Sequence, residues 1–510
     1  MSRVRFLASE ATKPLQSTPA TGNNVQGKPI PSPAVPPGIA GKLLGHAAFF
    51  KKVPGSRQSP FYLLNIKRKD WYKETGSKTI LVNMAGNKIV WCSEPPVYRD
   101  VLVAKQASFT NSNSFRHVFG FLFPKSMIVL EGEDWQRVRR ISQKALNRMN
   151  LDAAVGAVAE VIDTAINCKV LGDGSGEEEV DTFRHLSHIT FDAFHKVMYG
   201  MDPNTVKDDP KNPSYELLRR CEALLNAING RAFATQTKFL WKLPTKQNRE
   251  LEANRKYILS VGQDFAKKRR ELVKNQADKA QTKTLIDALL LSQEEDAMTD
   301  QEVSDQIATF FFGAYETTSN TLLFTLNSLA DAPHIQQKLR EAVLARFPNG
   351  SKDIAKATLA ELDEVKYLVW TLEESFRLNS TAEAFPRDAI EDVVVGGYMI
   401  KKGTTFLTDH ATVSRDPEFF PGQNDLDDFN PGRYENFHLD KFYSMPFGFG
   451  GRICPGRRIA IAEIKAILAI LVSEYEILPA KDPSKKLLLD VKLGLTCVDG
   501  TGYLRFKRRA

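Results

Sequence analysis

The residues best suited to chemistry are concentrated in one ten-residue segment near the C-terminus. Residues 447–456 read FGFGGRICPG and hold four glycines, one arginine and a single cysteine, Cys454. Glycine is favoured where the backbone takes a positive φ or passes close to another group, so the segment predicts a rigid pocket around one sulfur. Arg452, two residues before the cysteine, favours the thiolate. A thiolate held in this way can be a nucleophile, a redox centre or a metal ligand.

The spacing F-x-x-G-x-R-x-C-x-G resembles the haem-binding loop of the cytochrome P450 family. The resemblance implies that Cys454 is the proximal ligand of the iron of haem b, to which it donates electron density. It also implies that Arg452 lies near a haem propionate and that Phe447 packs beneath the macrocycle. Gly450 and Gly456 would let the loop pass under the porphyrin.

A second segment with unusual residues lies upstream, in a long helical run. Residues 299–302 (TDQE) form a capping box, and no proline follows until Pro333. Gly313 and the threonines of the sequence GAYETT weaken the helix ladder, which predicts a local groove. The segment resembles the oxygen-binding helix of the same family. The resemblance implies that Glu316 and Thr317 are the catalytic pair that relays protons to dioxygen.

Three further cofactor-binding residues are implied by the resemblance. Trp135 and Arg139 form a W-x-x-x-R pair on one helix face, as in the family's helix on the proximal side of the cofactor. Arg387 stands where the family has a strand arginine that points at a propionate. Guanidinium groups suit carboxylates because both are planar and can form two parallel hydrogen bonds.

The E-x-x-R pair of Glu374 and Arg377 and the downstream Arg433 resemble a buried charged triad of the family. Buried charges are tolerated only when they are paired and hydrogen-bonded. We therefore expect a structural role, and not a catalytic one, for these three residues.

Composition and pattern also predict the organisation of the chain. Residues 1–38 are rich in Pro, Ser, Thr and Asn and are predicted to be a disordered segment, whereas residues 39–510 contain no linker and are predicted to be one catalytic domain. The resemblance implies the cytochrome P450 fold, which is mainly α with a small β-rich lobe (α+β, a single large domain). Alternation at residues 79–83 and 88–91 predicts a hairpin, and residues 459–472 predict an amphipathic core helix.

Bulk properties exclude some function classes. The net charge is +8, and the 69 basic residues are scattered and not clustered with aromatic residues, which argues against nucleic-acid binding. Five widely spaced cysteines argue against a disulfide framework and favour an intracellular, reducing compartment. No apolar stretch is long enough for a transmembrane anchor. We therefore expect a cytoplasmic location or peripheral contact with the endoplasmic-reticulum membrane, with organelle targeting by the basic N-terminus as an alternative.

These features together predict a haem-thiolate monooxygenase. It would insert one oxygen atom of dioxygen into an apolar substrate, such as a fatty acid, a terpenoid or a sterol-like molecule. Electrons would come from NADPH or NADH indirectly, through an NAD(P)H-dependent reductase or a ferredoxin, and we expect the protein to be a monomer. A basic surface for such a partner could be formed by Lys441, Arg457, Arg458, Arg137 and Arg140.

Two alternatives come from other classes. One is a haem-thiolate isomerase or dehydratase that rearranges hydroperoxides without a reductase, but relatives of that kind tend to lose the acid–alcohol pair, and Glu316 and Thr317 are both present. The other is a non-catalytic haem sensor, which would need neither a proton relay nor a docking surface.

Overall fold

The computed structural model describes most of the chain from residue 60 onward. The predicted disordered segment 1–38 and the first residues of the predicted catalytic domain lie outside the described residues, so the division at residue 38 stays a prediction. The described ranges are 60–84, 86–147, 151–229, 241–275, 284–291, 298–382, 384–492, 495–498 and 502–509.

Helices dominate the described chain, which confirms the mainly α fold class. None of the helices in the described ranges is long and apolar enough to cross a membrane. In chain order they are α1 (Pro60–Thr75), α2 (Pro95–Arg99), α3 (Asn113–Leu122), α4 (Gly132–Asn147), α5 (Leu151–Asn167), α6 (Thr182–Tyr199), α7 (Pro213–Asn229), α8 (Lys246–Asn275), α9 (Leu285–Leu291), α10 (Asp300–Asp331), α11 (Pro333–Arg346), α12 (Ser351–Ile354), α13 (Leu359–Glu364), α14 (Lys366–Leu378), α15 (His410–Val413) and α16 (Arg457–Glu474).

The described strands form four small sheets, as expected for a minor β-rich lobe. The largest has the order β1-β2-β8-β5-β3, a second has the order β4-β12-β9, and β6-β7 and β10-β11 are hairpins. The strands are β1 (Thr79–Met84), β2 (Asn87–Cys92), β3 (Phe109–Asn111), β4 (Val180–Asp181), β5 (Arg387–Ala389), β6 (Val393–Val395), β7 (Tyr398–Ile400), β8 (Thr405–Thr408), β9 (Tyr475–Pro479), β10 (Leu489–Lys492), β11 (Leu495–Val498) and β12 (Tyr503–Arg508).

Pairing within the largest sheet brings distant parts of the chain together. β1 and β2 pair antiparallel, with Thr79 opposite Cys92, which confirms the predicted hairpin. β3 pairs antiparallel with β5, and in this register Asn111 lies opposite Arg387. The sheet therefore places Arg387 beside the segment that leads into α3.

Helix α10 is the central helix of the fold. It begins with the predicted capping box, in which the Thr299 hydroxyl accepts the Glu302 N–H and the Glu302 carboxylate accepts the Thr299 N–H. The helix is buried over most of its length and packs against α6, α8, α14 and α16. Its buried hydroxyls at Thr321 and Thr325 donate to the carbonyl oxygens four residues earlier, which satisfies them in an apolar interior.

Helix α16 is more deeply buried than its charges suggested. The prediction of an amphipathic helix was wrong in this respect, because Glu463 and Lys465 are buried together with the apolar residues around them. Lys465 forms an ion pair with Asp363 at the end of α13. Burial raises the pKa of the Glu463 carboxyl to about 8, so this side chain is mainly neutral at neutral pH. Pairing and neutralisation explain how the two polar groups are accommodated.

The predicted charged triad is present and buried. Arg377 donates from Nε and Nη2 to the two carboxylate oxygens of Glu374, each at 2.8 Å. Arg433 donates from Nε to Oε1 of the same carboxylate at 2.9 Å, and the three side chains are 0–1% exposed. Arg377 also donates to the carbonyl oxygens of Ser414 and Leu426. The triad therefore holds residues 414–433 against α14.

Replacement of Glu374 by glutamine should strongly destabilise the fold. The substitution leaves two buried guanidinium groups without a counter-charge, and breaking a buried pair costs about 3–5 kcal/mol. We expect a loss of this size in the free energy of unfolding, measured by urea denaturation. As a control, Arg346→Met removes the exposed ion pairs with Glu361 and Glu364 and should change stability little. Equal effects of the two substitutions would contradict a structural role for the triad.

Candidate active site

The loop that carries the cysteine packs closely against the segment that follows α2. Gly450 has a φ of +72°, and a Cβ at this position would overlap the carbonyl oxygen of Leu102. The backbone N–H of Gly451 donates to Oε1 of Gln106 at 3.0 Å. Glycine is required here because two backbones approach closely, and Gln106 fixes the loop from the outside.

Cys454 lies at the end of this loop, and its side chain opens onto an internal cavity. Its backbone N–H donates to the carbonyl oxygen of Phe447 at 2.8 Å, which closes the loop. Burial raises the pKa of the Cys454 thiol, whereas the N–H groups of Gly456 and Arg457 and the charges of Arg139 and Arg457 act to lower it. The hydrogen bonds of the loop and the charges of Arg139 and Arg457 therefore offset part of the effect of burial, which still leaves the pKa of the thiol raised.

Arg452 is held on several sides at the edge of the cavity. Its guanidinium group forms an ion pair with Glu131 and donates to the carbonyl oxygens of Met127 and Leu130 at 3.3 and 3.0 Å. The guanidinium carbon lies 3.9 Å from the ring centroid of Trp135, which is within the range of a cation–π contact. Burial lowers the pKa of Arg452 to about 10, against the opposing effect of Glu131.

The two other predicted arginines also line the cavity. Arg139 on α4 donates to the carbonyl oxygen of Ile453 at 2.7 Å, so it braces the residue before the cysteine. Arg387 on β5 donates to the carbonyl oxygen of Pro386 at 2.9 Å. Burial lowers the pKa of Arg387 to about 10, and the charge of Glu131 opposes this effect. The structure therefore brings Trp135, Arg139, Arg387 and Arg452 to the border of one cavity.

The predicted groove of α10 borders the same cavity. Gly313, Ala314 and Thr317 line it, and a Cβ at Gly313 would meet no atom within 4 Å. The Thr317 hydroxyl donates to the carbonyl oxygen of Gly313 at 2.7 Å. Glu316 is half-buried on the adjoining face of the helix and is not among the residues that line the cavity. The helix therefore offers a hydroxyl and an open backbone position to the site.

The cavity itself has a volume of about 400 Å³ and is mainly apolar. Phe447 forms part of its wall and packs edge-on against Phe376, with the ring centroids 5.3 Å apart. Apolar side chains that line the cavity include Phe115, Met127, Ile128, Phe310, Ala382 and Phe385.

Sequence reasoning missed two residues of this site. Glu131 pairs with Arg452, and its position four residues before Trp135, one helical turn away, could have drawn attention to it. Gln106 binds the cysteine loop across 345 residues of sequence. Nothing in the local sequence around Gln106 indicates so distant a partner.

The residues around the cavity fit a haem. The cysteine sulfur is accessible from a space with mainly apolar walls, and thiolate ligands suit iron. Arg387 is a half-buried cation at the border of the cavity, and no carboxylate within the described ranges forms an ion pair with it. The two propionate groups of a haem would supply the missing negative charge at the edge formed by Arg387 and Arg452.

Comparisons with known proteins agree with this geometry. The sequence model of the family described as Cytochrome P450 matches residues 64–504. Cytochrome P450 3A13 of Mus musculus is 26% identical over 471 residues, which cover 88% of this chain and 90% of the relative. Cytochrome P450 3A6 of Oryctolagus cuniculus is 28% identical over 462 residues (86% and 89%), and cytochrome P450 4F12 of Homo sapiens is 26% identical over 414 residues (79% and 78%). The chain therefore belongs to the cytochrome P450 family of haem-thiolate monooxygenases.

Proposed function

We propose that Cys454 is the thiolate ligand of haem b in this monooxygenase and that the substrate is an apolar organic molecule. The observation that carries the proposal is that Cys454 and the Gly313–Thr317 face of α10 border one apolar cavity. When bound there, the haem would supply the activation of dioxygen and the oxidation of a C–H bond. The protein's own residues would anchor the cofactor, exclude water and deliver protons.

The cavity border suggests how the cofactor would be held. Arg387, Arg452 and Arg139 would compensate the propionate charges, and Trp135 would keep the Arg452 guanidinium in place from the side. Phe447 and the loop glycines Gly450 and Gly456 would form the surface on which the macrocycle rests.

Proton delivery is assigned to Thr317 and Glu316. The Thr317 hydroxyl holds its proton in the hydrogen bond to Gly313, and rotation about χ1 would turn the hydroxyl toward the cavity. The carboxyl group of Glu316, one position earlier, would return a proton to the hydroxyl oxygen from the half-buried side of the helix.

An apolar substrate is favoured because the cavity wall is mainly apolar and because several of its hydroxyl groups are already bonded within the protein. Thr321 shares a hydrogen bond with Thr381 at 3.0 Å, and Thr309 donates to Ser126 at 2.7 Å. Phenylalanine side chains in the wall offer a large apolar surface to a ligand. Fatty acids, terpenoids and sterol-like molecules meet this requirement.

The assignment of Cys454 is tested by the carbon-monoxide difference spectrum of the reduced protein. The wild-type protein should give the strongly red-shifted Soret band of thiolate-ligated ferrous haem, and Cys454→Ser should abolish it because serine provides no thiolate. Cys168→Ser is a matched control, since this exposed cysteine lies on another part of the chain. A thiolate band that persists in Cys454→Ser would refute the assignment.

The proton path is tested by Thr317→Ala. Loss of the hydroxyl should lower product formation roughly 100-fold or more, in the range of general acid catalysis, while oxygen consumption continues and hydrogen peroxide is released. Thr317→Ser keeps a hydroxyl and should retain most of the coupling. Unchanged coupling in Thr317→Ala would place the proton path elsewhere.

Turnover of a hydroperoxide without any reductase would instead favour the isomerase alternative.

An NAD(P)H-dependent reductase or a ferredoxin is the proposed electron donor. Lys441, Arg457, Arg458 and Arg140 are exposed near the cysteine loop and on α4, and they could attract an acidic partner surface. Arg137, which the sequence analysis included in this group, forms an ion pair with Glu302 of α10. It is therefore engaged within the fold.

Charge reversal at Arg458 tests this docking surface. Arg458→Glu should raise the KM for the reduced partner at low salt, with a smaller effect at high salt, because screening weakens exposed charge pairs. Lys352→Glu makes the same charge change near the far end of α16 and should leave the KM unchanged. Equal KM values for the two variants would contradict the proposed surface.

The monomeric state, the reducing compartment and the peripheral membrane contact stay predictions.

A further inference from the structure

The carboxylate of Glu131 connects the two sides of the cavity edge formed by Arg387 and Arg452, which we call the propionate edge after the proposed haem. One oxygen accepts a hydrogen bond from Arg452 of the cysteine loop. The other accepts the backbone N–H of Asn111 at 3.1 Å. Asn111 is the residue of β3 that lies opposite Arg387 of β5. The Glu131 side chain therefore connects the cysteine loop to the strand pair β3–β5, which positions Arg387.

Glu131 also faces a cluster of positively charged side chains. Arg452, Arg387 and Arg139 line the cavity, and Arg116 of α3 lies close enough to lower the pKa of Arg452 by repulsion, in addition to the larger effect of burial. Among the described residues, no other carboxylate forms an ion pair with this cluster. The charge of Glu131 opposes the lowering of the pKa of both Arg452 and Arg387.

We propose that Glu131 is a positioning residue that sets the charge balance at the propionate edge and thereby the reduction potential of the haem. The proposal rests on the proposed haem site. With Glu131 ionised, four guanidinium groups face one carboxylate, and two propionates would leave a small positive excess. Removal of the Glu131 charge would increase that excess and stabilise the reduced iron, which carries one positive charge fewer.

The decisive variant is Glu131→Gln, because glutamine keeps the size and the hydrogen-bonding carbonyl of the side chain but removes its charge. Glu131→Asp keeps the charge and shortens the reach to Arg452. Glu133→Gln removes an equal charge from an exposed residue in the first turn of α4, two residues after Glu131, so it controls for the overall charge of the protein.

The experiment first records the carbon-monoxide spectrum of each variant and then titrates its reduction potential spectroscopically with redox mediators. We expect the thiolate band in all variants. The ferrous-to-ferric ratio at a fixed mediator potential should rise roughly threefold to tenfold in Glu131→Gln, where a tenfold change corresponds to about 59 mV for one electron. Glu133→Gln and Glu131→Asp should stay near the wild-type potential.

The outcomes separate this inference from the haem assignment. Absence of the thiolate band in the wild-type protein would overturn the proposed site itself. A normal band in Glu131→Gln with an unchanged potential would overturn only the role of Glu131. If Glu131→Gln fails to fold, Arg452→Met is the second variant. It removes the positive partner, so the potential should fall, and an unchanged potential would again contradict the inference.

Discussion

Pairing of buried arginine charge is the constraint on which the rest of the structure depends. Glu374 binds two guanidinium groups in an interior where the three side chains are 0–1% exposed. An unpaired charge at this depth would cost several kcal/mol, so residues 414–433 are restricted to a path past α14 that satisfies Arg377 and Arg433. This path leads into the cysteine loop, where Arg452 is paired in turn by Glu131.

Helix α10 links the cavity wall that carries Thr317 to the cavity edge formed by Arg387 and Arg452. In its first turns, Asp305 accepts the backbone N–H of Lys125 at 2.7 Å and Gln306 accepts that of Met127 at 2.9 Å. These bonds fix the loop between α3 and α4, whose carbonyl oxygens and carboxylate hold the guanidinium group of the cysteine loop. The same helix carries Thr317 about three turns later. One rigid element therefore sets the distance between the Thr317 hydroxyl and the proposed cofactor anchors.

The sequence was informative where chemistry is encoded locally. The ten-residue cysteine loop, the capping box at residues 299–302 and the E-x-x-R pair can each be recognised from a short spacing, and the structure confirms the capping box and the buried charged triad. Contacts between distant segments could not be predicted in this way. Gln106 and Glu131 meet the cysteine loop only because the sheet and α4 fold against it. The burial of Glu463 likewise depends on the helices that surround α16, and the pattern of polar residues within α16 does not indicate which helices pack against it.

The hydrogen bonds of the cavity threonines distinguish Thr317 from its neighbours, and the difference is the one that its proposed part in proton transfer requires. Thr309 and Thr321 bond both to α10 itself and to residues on other elements, so their rotation would break contacts that hold the fold together. The hydrogen bond that Thr317 donates stays within the helix, to the carbonyl oxygen of Gly313. A back-bonded threonine gains little helix stability from that bond. Its hydroxyl can therefore turn toward a reactant at small cost, while the neighbouring hydroxyls remain structural.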